Sequence, residues 1–163
     1  MNDTDKKKLY AAVSTIVNLE AQLTNLGGRG ARAAKLWAET ASKSQDEKVK
    51  KGLKAASAGL TELVKDAKVV LKDLNALGKD TSNATLLAGH ATGKEFRDKV
   101  VAKRLASSKA FEQKAAKFTN GVLSILGGNL YPQMSDVDVK VSMSSLKNFA
   151  HYYNEMRIGL AKL

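Results

Sequence analysis

Arg29 and Arg32 stand three residues apart, and Arg97 and Arg104 stand seven apart. Both spacings return a side chain to nearly the same face of an α-helix. A guanidinium presents a planar fork of donors that fits a phosphate bidentately. Lysines accompany both pairs: Lys35, Lys50, Lys51 and Lys54 follow the first, and Lys94 and Lys103 flank the second. The chemistry these ten residues suggest is capture of phosphate oxygens, with release of the counterions condensed on a nucleic acid. Only five of the 27 basic residues are Arg, so most of the positive charge is Lys, a compact point charge on a flexible stem.

The charge is unevenly placed. The chain has 163 residues and a formal net charge of +11. Residues 29–54 carry a net +5 and residues 94–117 another +5, while residues 1–28 and 55–80 each sum to zero. If the helices bearing the two basic stretches are neighbours, they form one face that steers polyanions toward it. The same face would attract an acidic protein surface, and a merely solubilising lysine coat is the third use of such charge. Base-specific reading has little support. There is no Cys for a zinc finger, and aromatic residues are 6% of the chain and lie mostly on apolar stripes, which leaves no stacking platform.

Catalytic chemistry has one foothold. His151 and Glu155 are four apart, which would give a helix two metal ligands, but a catalytic zinc site needs a third. The stretch Lys147–His151 bears a faint resemblance to the Arg-spacer-His pattern of helical HEPN ribonucleases. It has Lys for Arg and a shorter spacing, and no role is carried over from it. The run Gly27-Gly28-Arg29-Gly30-Ala31-Arg32 could bring amides to an anion at a helix start. It lacks the P-loop lysine and a preceding strand, so it reads as a helix-helix turn. No enzyme activity, metal or cofactor is expected.

These residues must be positioned by helices. Leu9, Ile16 and Leu23 recur every seven residues, as do Ala12, Leu19 and Leu26, which is an a/d seam. Gly27 and Gly28 then read as its stop, with a short helix from about 30 to 42 anchored by Trp37. Ser44 with Glu47 has capping-box spacing. Leu53, Leu60, Ala67 and Leu74, with Ala56, Leu63, Val70 and Leu77, give four unbroken heptads ended at Gly78. An uncharged linker, 81–93, leads to a second capping box, Thr92 with Glu95. Phe111, Phe118 and Ile125 continue a heptad series to a stop at Gly127–Gly128, ahead of a loop with Asn129 and Pro132. Backward extrapolation lands on Arg104 and Arg97, so a stutter is expected, with Phe96, Val100 and Leu105 taking over the apolar stripe and both arginines turned outward and exposed. Residues 136–143 alternate polar residues with Val137, Val139, Val141 and Met143, which predicts a short strand pairing across a dimer or an extended packed loop. A last helix follows from Ser144 or Ser145.

The expectation is an all-α fold, an elongated bundle of four to six helices in a single domain over 1–163. Its expected function is non-catalytic binding of nucleic acid through phosphates, without sequence preference. The alternative is a structural or assembly protein, such as a virion or phage component, scaffold or adaptor, acting through self-association or another protein. A helical enzyme using His151 and Glu155 ranks below both. No stretch is apolar enough to span a membrane and the start is too polar for an export segment, so a cytoplasmic location is expected.

Overall fold

Heptad seams of this length can be buried only by laying helices side by side, and the structure does so. The computed structural model describes residues 1–126 and 135–163. Five helices longer than ten residues occur among them: α1 (Asp3–Val13), α2 (Ile16–Lys43), α3 (Glu47–Thr81), α6 (Ala102–Leu126) and α7 (Val137–Ala161). Two short ones, α4 (Ala84–Ala88) and α5 (Gly93–Phe96), lie between α3 and α6. No strand occurs among the described residues. At 1.5 Å per residue, the 35 residues of α3 extend about 52 Å.

The long helices pack in a closed ring, α2 on α3, α3 on α6, α6 on α7 and α7 on α2. Neighbours run antiparallel: Ser57 Oγ donates to the Ala34 carbonyl, Asp66 meets Lys114, and Phe111 meets Phe149 edge-on at 4.9 Å. This is an up-down-up-down four-helix arrangement. The residues of both predicted seams, Leu9 to Leu26 and Leu53 to Leu77, are all buried, and buried residues of all five long helices join one core.

Four local expectations are corrected. First, Gly27 and Gly28 do not end a helix; α2 runs through them to Lys43. The heptad frame of the first segment continues onto Gly30, Ala33 and Trp37, all buried, and that burial holds the helix together across its glycines. Gly30 is needed for close approach, since a Cβ there would lie 2.6 Å from Val64 Cγ2 of α3. Gly27 and Gly28 have open space around them and no left-handed backbone. Replacing both with Ala is therefore expected to stabilise the fold by about 1–2 kcal/mol, at roughly 0.5–1 per helical Gly. A thermal melt checks this, and an unchanged or lower midpoint would refute it.

Second, the break that does occur is at Ser14–Thr15, whose hydroxyls donate back to the Ala11 and Ala12 carbonyls and separate α1 from α2. Third, the α3 cap is Asp46, which accepts from the Lys48 and Val49 amides, in place of Ser44; α3 ends at Thr81, three residues past Gly78. Fourth, residues 137–143 are the start of α7, neither strand nor extended loop. Asp136 caps it through the Asp138 and Val139 amides. The buried stripe there is Val139, Ser142, Ser145, Leu146 and Phe149, a helical spacing partly written in serine.

The Thr92 hydroxyl accepts from the Glu95 amide as expected, and the linker before it folds in part as α4. The stutter takes the form of a π-helical turn, Arg97–Val101, running without a break from α5 into α6. The Ala102 amide bonds to the Arg97 carbonyl five residues back. That shift moves the buried stripe onto Phe96, Val101 and Leu105; the expected Val100 is only partly buried, because the extra residue of the π turn carries Val101 into the core in its place. The stop assigned to Gly127–Gly128, and the loop with Asn129 and Pro132, lie outside the described residues.

Candidate polyanion-binding face

The α3 sequence has a second periodicity besides its seam. Counted at 3.6 residues per turn, Lys50, Lys51, Lys54, Lys65, Lys68, Lys72 and Lys79 all fall within about 100° of arc, opposite the buried face. Lys50 is half-buried and the other six are exposed. None of the seven makes an ion pair or side-chain hydrogen bond with the described residues. From Lys50 to Lys79 the row extends about 44 Å. It has a gap at Ala58 and Thr61, and Glu47 is the one acid of α3 on that side, in the first turn.

The four other acids of α3 lie on the adjoining edge, and α6 engages all of them. Lys114 bridges Glu62 at 3.2 Å and Asp66 at 2.8 Å, and both bonds push its ammonium further toward the charged form. The Ser107 hydroxyl donates to Asp73 at 2.6 Å. Arg104 Nε donates to Asp80 at 2.7 Å, which holds the guanidinium still more firmly charged. Asp73 and Asp80 are thus half-buried against α6, Asp66 and the more exposed Glu62 are bridged by Lys114 at its edge, and the lysines of the row face water. Lys103 and Lys117 of α6 are exposed on the edge next to Lys114, and they flank the row. At one end, Lys68, Lys72 and Lys79 enclose a shallow open depression with Leu71, Asn75 and Ala76.

The ten residues singled out from the sequence are not brought together. Lys50, Lys51 and Lys54 lie toward the α2–α3 turn, and Arg29, Arg32 and Lys35 lie further along α2, where Gly30 meets Val64 in the middle of α3. Lys94, Arg97, Lys103 and Arg104 lie at the opposite end, where Arg104 meets Asp80 near the end of α3. Lys50, Lys51 and Lys54 belong to the row; Lys65, Lys68, Lys72 and Lys79, which join the two ends, were missed.

The arginines hold helices together instead of standing free. Arg29 and Arg32 share Asp138 at 3.1 and 3.2 Å, tying α2 to the first turn of α7. Arg97 donates to Asp98 at 2.8 Å and to the Leu160 carbonyl at 3.1 Å, and its side chain is only 24% exposed. The expectation of an exposed, unpaired Arg97–Arg104 centre is corrected: the π turn swings both arginines out of the core, and each finds an acidic partner. Lys35 lies 4.0 Å from Glu39, and Lys94 is exposed.

His151 Nε2 lies 3.1 Å from Glu155 Oε1 on the exposed side of α7. No group of three metal-ligating side chains is present among the described residues. The features behind an assembly role are used inside the chain, since the seams pack on each other and residues 137–143 are helical. No helix of the described residues is long and apolar enough to cross a membrane.

Fold and face together define a basic, antiparallel helical bundle with one lysine-lined side. No protein-family model matches this chain, and no curated protein or solved structure matches it either.

Proposed function

We propose that this is a non-catalytic basic bundle protein that binds nucleic acid through the phosphate backbone, along the outer face of α3. The observation that carries the reading is the unpaired lysine row, about 44 Å long, beside which α6 engages every acid of α3 except Glu47 in the first turn. Lysines act on phosphate as point charges without the bidentate geometry of Arg, which suits contact that ignores sequence. The α3 helix has no aromatic residue, so the helix that carries the row offers no ring to stack on unpaired bases. A duplex is the partner it fits.

The test is fluorescence anisotropy with labelled duplexes of about 20 base pairs, longer than the roughly 13 that 44 Å covers at 3.4 Å per base pair. Six or seven phosphate contacts should give a plot of log affinity against log salt with a slope of about −5 to −6. Two unrelated sequences should bind equally well. A flat salt plot, or a strong preference for one sequence, would overturn the reading.

A further inference from the structure

The π turn leaves a second feature, which the lysine row does not use. Between that turn and the last turns of α7 lies an open cleft of about 280 Å³. It is lined below by Val101, Leu105 and Leu160, all buried or nearly so. Its polar lining is Arg97, Arg157 and Tyr153, and no carboxylate lines it. Ala102 and Ala161 complete the wall and keep it open.

The two guanidiniums differ in how far they are neutralised. Arg97 is held by Asp98 and by the Leu160 carbonyl. Arg157 has one partner among the described residues, the neutral amide oxygen of Asn154 at 2.9 Å. Arg157 is exposed at the mouth of the cleft and no carboxylate pairs with it among the described residues, which leaves its fork of donors open to an anion. Tyr153 is stacked parallel to Phe149. Burial, with the charge of Glu112 acting the same way and Arg157 against it, holds its phenol above the ordinary range, so it remains a neutral donor.

We infer that this cleft binds a small carboxylate with a short apolar body, its head on Arg157 and Tyr153 beside Arg97, its body on Val101, Leu105 and Leu160. The size suits a small ligand, since clefts for drug-sized molecules begin at roughly 300 Å³. The apolar floor separates this ligand from a phosphate backbone, which has no apolar body to bury. The two sites can therefore fail independently.

Octanoate is the probe, with octanol and acetate as controls lacking the charge or the body. Calorimetric titration and amide chemical-shift mapping should show octanoate binding, with shifts confined to residues 97–105 and 153–161, and neither control should match it. Arg157→Gln should weaken octanoate about tenfold, the usual cost of losing a hydrogen bond to a charged group. Ala102→Leu should fill the cleft and abolish binding while leaving the melting temperature of the free protein unchanged. Octanol binding as tightly as octanoate would overturn the inference. So would an Ala102→Leu variant that binds octanoate like the parent.

Discussion

Replacing Lys65, Lys68, Lys72 and Lys79 together with Gln is expected to lower duplex affinity about four thousandfold near 0.1 M salt, with the fold unchanged. The figure follows from counterion release: each lost phosphate contact removes about 0.9 from the salt slope, so four remove about 3.6. All four side chains are exposed, and none bonds to another described residue, so the melting temperature should hold. A matched control separates a site from simple net charge. Replacing Lys7, Lys140, Lys147 and Lys162 removes the same charge from α1, from α7 and from the position just after it, all exposed. That variant should lose little beyond long-range steering, which salt screens within roughly 10 Å at 0.1 M. Equal losses in both variants would mean that binding responds to total charge, and the row would cease to be a site. Unchanged affinity in the four-lysine variant would remove α3 from the interface altogether.

The row escaped a reading by segments for a geometric reason. Residues 55–80 sum to zero, with Lys65, Lys68, Lys72 and Lys79 balanced by Glu62, Asp66, Asp73 and Asp80. A sum along the chain averages over all directions around the helix. The two signs are separated by angle, and only their positions at 3.6 residues per turn reveal it. Once α3 is recognised as a long helix, that signal is present in the sequence. The pairing of Arg104 with Asp80 is different. It depends on α3 and α6 packing antiparallel in one register, which no local spacing encodes. Arg29 and Arg32 meeting Asp138 across more than a hundred residues is of the same kind.

Long apolar periodicity was legible because burial demands it. Leu9 to Leu26 and Leu53 to Leu77 lie where their heptads place them. Punctuation was less reliable. Gly27 and Gly28 look like a cap, yet tertiary burial of Gly30, Ala33 and Trp37 outweighs the helix penalty of roughly 1 kcal/mol per Gly. The alternation of Val137, Val139, Val141 and Met143 imitated a strand because Ser142 and Ser145 occupy core positions. The Ser142 hydroxyl is satisfied by the Asp138 carbonyl one turn back, so it can be buried in a helix at little cost.

Leu63→Ala is expected to destabilise the fold by about 3–5 kcal/mol, the upper part of the usual range for a buried leucine. Leu63 is fully buried in the middle of the longest seam, with Leu60, Ala67 and Val70 buried around it. The cost at such a site depends on how far neighbours can relax into the space left behind. Relaxation is restricted here. Gly30 of α2 already lies so close to Val64 that no Cβ fits between them, and α2 cannot move much nearer. The Phe118 ring lies equally close over Gly59, where a Cβ would meet it at 2.8 Å, and that contact limits α6. With both flanking helices in contact, most of the cavity should persist. For a chain of this length each kcal/mol lowers the melting temperature by about 2–4 °C, so a fall of roughly 6–20 °C should appear in a thermal melt. Leu63→Met keeps the volume and should cost less than about 1.5 kcal/mol. An alanine variant that melts with the parent would place this seam outside the core and overturn the packing of α3 between α2 and α6.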